Sequence, residues 1–160
     1  MKARAAMTNR QLTSAPRTNE HESRRGTALV EMALVLPIFM MVTLGIVEFG
    51  RAMMVSQLVT NAAREGARQA IIDGSNNANV RSTIETFMQQ SANVAAGDLV
   101  ITITVTPAPG NTDPANQVAN TSSGDLIQIM IDVPFNKVSF IPGNYLKDKH
   151  LRGMAAMRRE

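Results

Sequence analysis

The sequence predicts an α+β protein: a long N-terminal helix, membrane-spanning in its first half and amphipathic in its second, packed on a small antiparallel sheet. Three observations carry this expectation. Residues 27–47 form an apolar run whose only charge is Glu31. No proline follows between residues 48 and 72, where apolar and small residues recur at helical spacing. Farther along, residues 99–106 and 125–133 alternate with period two, the signature of half-buried strands.

The first 26 residues hold no periodic apolar stripe and read as a disordered basic leader, 1–26. They carry Lys2, Arg4, Arg10, Arg17, Arg24 and Arg25 against Glu20 and Glu22, so the chain's net charge of +3 resides there. Beyond Val47, ten basic and ten acidic residues balance. A basic tail is one signature of nucleic-acid binding, but this one has no aromatic residue and no motif, so nucleic acid is not an expected partner. Placed before an apolar run, the same charges act as a positive-inside signal.

Residues 27–47, TALVEMALVLPIFMMVTLGIV, are hydrophobic all round. About 21 residues at 1.5 Å rise cover roughly 30 Å, the hydrocarbon thickness of a bilayer. A core helix of a soluble protein would need apolar segments to surround it, and none is apolar enough. A cleavable secretory signal would have a shorter apolar core, and the EFGRAMM that follows is no small-residue cleavage site. Only Arg51 and Arg64 lie in the twenty residues after Val47, so the N-terminus is expected in the cytoplasm and the C-terminus outside.

The helix is expected to continue through residues 48–72. Val55, Leu58, Val59, Ala62, Gly66 and Ala70 share one face, and Ser56, Gln57, Asn61, Arg64, Glu65 and Arg68 fall elsewhere. The sequence DGSNN at 73–77 stops it. The remaining small exported domain, 73–160, begins with a short helix over 79–93 that places Val80, Ile84, Phe87 and Met88 on one face. Strands follow at 99–106 and 125–133, the second burying Ile127, Ile129, Ile131 and Val133. Residues 107–124 read as loop, and 138–143 as a short apolar hook. The last segment, 151–159, has helix-favouring Ala and Met, but its place after two antiparallel strands favours a third strand.

The chemistry-bearing stretch is the junction between leader and helix. Gly26 sits there, and Glu31 follows five residues later inside the apolar run. A carboxylate in a membrane helix costs about 2.5–3.5 kcal/mol at the centre, less near the interface, and seeks a partner. Cleavage between Gly26 and Thr27 would create that partner, an α-amino cation on Thr27. The amine does not easily reach Glu31 of its own helix, but it reaches Glu31 of an axially displaced neighbour. Such pairing would fix the stagger of assembled helices. Glycine suits a scissile position because no side chain obstructs a protease. The simpler alternative is a Glu31 that only snorkels toward the headgroups.

The stretch RRGTALVE resembles the class III signal of type IV prepilins. The longer run from Arg24 to Ile72 is similar to TadE-like pseudopilins of the tight-adherence, or Flp-type, pilus system. The resemblance rests on Arg25-Gly26, Ala28-Leu29-Val30-Glu31, Leu36-Pro37, Glu48-Phe49-Gly50-Arg51 and residues 61–68, NAAREGAR. The closing Met157-Arg158-Arg159-Glu160 is also similar to the family's end. It implies a pilin-like fold and a minor subunit of the bacterial inner membrane, cut by a prepilin peptidase and assembled with other pilin or pseudopilin subunits and pilus assembly proteins. The alternative is a single-pass membrane-anchored binding or sensor protein without a pilus role.

Other features have modest readings. Pro37 removes a hydrogen bond to the carbonyl of Ala33 and is expected either to bend the helix for assembly or to be merely tolerated. Asn61, Arg64, Glu65 and Arg68 form either a partner surface or a solvated face; the like charges Arg64 and Arg68 at i,i+4 would favour an acidic partner. The Ala62/Gly66/Ala70 ridge is expected to pack within the molecule. With no cysteine, only two histidines and no nucleophile, zinc or phosphate motif, the chain is expected to be no enzyme and to take no cofactor or metal.

Overall fold

A computed structural model of the chain describes residues 20–139 and 148–160, with side chains described from residue 26 onward. By internal contacts the chain divides into two units, Met1–Met40 and Met41–Glu160. The expected disorder of residues 1–19 and most of the expected hook, 140–143, lie outside the described residues.

Helix α1 runs over Glu20–Ala70, with Pro37 inside it. It therefore starts ahead of the expected residue 27. No proline or glycine stands between residues 20 and 25, so nothing local opposes helix there. The helical assignment passes through Pro37 without a break. From Gly26 onward α1 is long and apolar enough to cross a membrane, and none of its most apolar window is buried within the molecule.

The Met41–Glu160 unit is α+β. Its second half of α1 turns Ala52, Val55, Val59, Ala62, Ala63, Ala67 and Ala70 into the core. Ile72 and Gly74 close the turn that follows, where Gly74 has φ +77°, a conformation glycine adopts without steric cost. Asn76 then caps helix α2 (Asn77–Ala92), its side chain accepting from the Asn79 amide at 2.9 Å. α2 buries Val80, Ile84, Met88 and Ala92 and ends at Asn93 in the left-handed conformation.

Strands β1 (Val100–Thr106), β2 (Leu126–Pro134) and β3 (His150–Arg158) form an antiparallel sheet in the order β1-β2-β3. Ile101, Ile103 and Val105 of β1 and Ile127, Ile129, Ile131 and Val133 of β2 point into the core. In β1–β2 pairing, Ile103 lies opposite Ile129. The third strand adopts the expected extended state. Nine β2 residues are available to pair with it, and that ladder outweighs the helix preference of Ala and Met.

Two glycines set how closely the layers approach. A Cβ on Gly66 would lie 2.6 Å from Cδ1 of Ile84 and 3.2 Å from Cδ1 of Ile129, so α1, α2 and the sheet converge there. A Cβ on Gly153 would lie 2.7 Å from the backbone of both Val59 and Thr60, so β3 rests directly on the backbone of α1. The Ala62/Gly66/Ala70 ridge is thus covered within the molecule, as its spacing suggested.

Candidate functional site

Gly26, Thr27, Glu31 and Pro37 all lie on α1 in the first unit, and all four are exposed. The Glu31 carboxylate stands among Leu29, Val30, Met32 and Leu34, each well exposed. Such a helix surface is suited to lipid or to neighbouring apolar helices.

Asn61, Arg64 and Arg68 are exposed and Glu65 is half-buried. Arg64 Nη1 donates to Asn61 Oδ1 at 3.4 Å, and Arg68 Nε lies 3.7 Å from Glu65 Oε2. Each arginine therefore has an acceptor three residues back on its own helix. These are weak, solvated contacts, worth a few tenths of a kcal/mol on a helix surface. A shallow cleft of about 190 Å³ runs beside them, lined by Ser56, Gln57, Thr60, Asn61 and Arg64.

Sequence reasoning passed over Glu48 and Arg51 as site residues. Glu48 is 2% exposed. Its Oε1 accepts from the Ser139 hydroxyl, and its Oε2 has no hydrogen-bond partner among the described residues. Arg51 Nε donates to the Val138 carbonyl at 3.2 Å, and Nη2 donates to the Ala92 carbonyl at 3.3 Å. The guanidinium thus meets the C-terminal end of α2, where the helix dipole favours a cation. The pair fastens α1 to α2 and to the segment after β2. Two charges directly beyond an apolar span, three residues apart, were the available signal.

A second set of polar clamps closes the opposite end of the domain. Asp125 accepts from the amides of Ala108 at 2.9 Å and Ser122 at 2.8 Å, and from Asn111 Nδ2 at 2.6 Å. The Asn111 side chain and then these backbone amides hold the Asp125 carboxyl below its usual range. Arg159 donates from Nη1 to Thr121 Oγ1 at 2.6 Å and from Nη2 to Asp73 at 2.7 Å. Asn77 donates to the Asn116 carbonyl and accepts from the Val118 amide. These bonds explain why 107–124, read as loop, is ordered around the buried Val118.

On the outer face of the sheet, Asp132 accepts from Arg152 Nε at 3.0 Å and Nη2 at 2.8 Å, and contacts His150. Burial opposes ionisation of Asp132, but the Arg152 and His150 hydrogen bonds outweigh it, and the carboxyl is held below its usual range. Among the described residues no cluster of histidine and acidic side chains could hold a metal ion.

The membrane-compatible helix, the exposed Gly26–Glu31 junction, the buried Glu48 and the half-buried Arg51 fall within one stretch of sequence, and that stretch has a family likeness. Residues 26–68 match the family model described as TadE-like protein. The TadE-like segment begins at Gly26, includes every candidate residue from Thr27 to Arg68, and ends two residues before α1 does. α2 and the three strands lie outside it. Neither a curated protein nor a solved structure matches the chain.

Proposed function

We propose that the chain is a minor, pilin-like subunit of a tight-adherence type pilus system, cut by a prepilin peptidase between Gly26 and Thr27 and acting through helix–helix assembly. The TadE-like match over residues 26–68 supports a pilus-associated protein, and the Gly26–Glu31 junction, a glycine before an apolar helix that carries one exposed carboxylate, is the observation that supports the finer reading. In this reading residues 27–47 of α1 anchor the chain in the bacterial inner membrane with its N-terminus in the cytoplasm, and residues 48–160 stand outside. Cleavage removes the leader's basic residues and leaves the Thr27 amine as a new cation at the end of an apolar helix.

Glu31 then acts in assembly. Its carboxylate is exposed on an apolar helix surface. Pairing with the Thr27 amine of a neighbouring subunit offsets the cost of holding it in lipid. Pro37 leaves the carbonyl of Ala33 without its ordinary amide donor, which lowers the resistance of the helix to bending as subunits pack. The exposed Asn61, Arg64 and Arg68, with the half-buried Glu65, form a polar surface for contact with other pilus components.

Mass analysis of the N-terminal peptide tests the processing. In cells with an active prepilin peptidase the mature chain should begin at Thr27, and without the peptidase it should keep its leader. A chain beginning near Met53 would instead mean secretory-signal cleavage. An intact N-terminus in peptidase-positive cells would favour a plain membrane anchor.

A further inference from the structure

Beyond Val47, α1 is inverted relative to a helix of a water-soluble domain. Over residues 48–55 its charged side chains turn inward: Glu48 is buried against Ser139, and Arg51 reaches the carbonyls of Val138 and Ala92. Its outward face over the same turns is apolar. Phe49 is 61% exposed, Met53 54% and Met54 53%, and a Cβ on Gly50 would meet nothing within 4 Å. At 100° per residue, the same outward face continues with Gln57, Asn61, Arg64 and Arg68, all exposed and polar. One continuous helix face therefore changes from apolar to polar between Met54 and Gln57.

We infer that Phe49, Met53 and Met54 lie in the interfacial layer of a lipid bilayer, which seats the Met41–Glu160 unit on the membrane with its waterline between Met54 and Gln57. Continuity with the apolar span argues for lipid as the occupant. With 27–47 matched to the hydrocarbon, residues 48–54 add about 10 Å at 1.5 Å rise, on the order of the one headgroup layer, roughly 5–8 Å, on that side. The sidedness argues the same way. Where an apolar span leaves the hydrocarbon, charges are stable only if they reach water or are satisfied by protein. Here the domain itself supplies carbonyl acceptors to Arg51. This inference rests on α1 being a membrane anchor and is independent of the pilus role.

The chain has no cysteine, so single-cysteine variants carry one spin label each. Phe49→Cys, Met53→Cys, Met54→Cys, Gln57→Cys and Arg64→Cys are made in the full chain, with Val35→Cys as a reference in the span. They are reconstituted in vesicles of phosphatidylcholine and phosphatidylglycerol. Collisions with oxygen, which partitions into lipid, are compared with collisions with a water-soluble nickel chelate. Oxygen should dominate at residues 35, 49, 53 and 54, and the ratio should fall several-fold at Gln57 and Arg64. Nickel collisions at 49–54 as frequent as at Arg64 would overturn the inference. So would shielding of 49–54 from both reagents with disulfide-linked copies, which would mean that a second chain occupies the face. A water-exposed residue 35 would mean that the anchor reading itself fails. A lipid carrying a photoreactive diazirine gives the same readout on the unmodified chain: insertion into residues up to Met54 is expected, and insertion only before Val47 would overturn the inference.

Discussion

Gly153→Ala is a sharp test of how the domain is held together. The added Cβ would lie 2.7 Å from the Thr60 nitrogen, 2.7 Å from the Val59 carbonyl carbon and 2.9 Å from Thr60 Cα. All three are backbone atoms of a helix and cannot rotate away. Ordinary contact begins near 3.4 Å, so β3 must retreat from α1 by roughly 0.7 Å, and an overpacked core of this kind costs about 1–3 kcal/mol. Gly66→Ala is the internal comparison. Its Cβ would meet Cδ1 of Ile84 at 2.6 Å and Cγ1 at 2.7 Å, side-chain atoms that can shift where helix backbone cannot. Alanine also gains roughly 1 kcal/mol over glycine within a helix. Gly153→Ala should therefore be the more damaging of two identical chemical changes. Thermal unfolding of the full chain in detergent micelles, followed by circular dichroism, reads the difference. A loss of about 2 kcal/mol corresponds to roughly 8 °C for a domain of this size. An unchanged midpoint for Gly153→Ala, or a larger drop for Gly66→Ala, would refute the direct seating of β3 on α1.

Other consequences are open to simple measurement. Arg159→Ala should cost about 1 kcal/mol, chiefly because the buried Thr121 loses a donor while the exposed Asp73 regains water, and hydrogen exchange should accelerate across residues 118–125. The lowered pKa of Asp125 and of Asp132 means that the unfolded chain takes up protons first as pH falls. The stability from these groups is then present above the ordinary carboxylate range near pH 4 and is lost as pH falls through their folded values; Asp125→Asn should flatten that acid loss in a pH series of unfolding midpoints, and an unaltered slope would contradict it. Replacing Gly26 with a bulky residue should obstruct the peptidase, so the chain should migrate on a gel as the uncut form, about 26 residues heavier; identical migration of variant and unaltered chain in a peptidase-positive strain would count against the cleavage site.

The parts of the fold visible in the sequence are those set by periodicity. Ile127, Ile129, Ile131 and Val133 are buried because a pleated strand sends alternate residues to one face, and a one-residue slip would expose them all. Val80, Ile84 and Met88 are buried for the corresponding helical reason. What periodicity does not encode is which polar residue reaches across the chain. Arg159 and Asp73 stand 86 residues apart and Asn77 and Asn116 39 apart, and neither pair has a local pattern. Glu48 and Arg51 show the same limit in another form. Nothing local to Glu48 and Arg51 shows that Ser139 and the carbonyls of Val138 and Ala92 meet them, while Phe49, Met53 and Met54 are left outward. The Gly26–Glu31 junction was legible because a charge in an apolar run stands out against its neighbours. In the proposed assembly its partner belongs to another molecule, and a single chain does not display such a pairing.

The assembly role of Glu31 is tested most directly by Glu31→Ala at matched membrane level, with leader removal verified by mass so that an uncut leader does not mimic the defect. Removing a charge from lipid should leave insertion and folding unharmed or slightly improved. It should also leave the Thr27 amine of the neighbouring subunit without its counter-charge, so pilus formation and crosslinking to partner subunits should both fall. Glu31→Gln, which keeps shape and hydrogen-bonding capacity, should fail in the same direction. Normal pili and normal crosslinks from a cleaved Glu31→Ala chain would make Glu31 an interfacial residue only and would contradict the proposed mechanism of assembly.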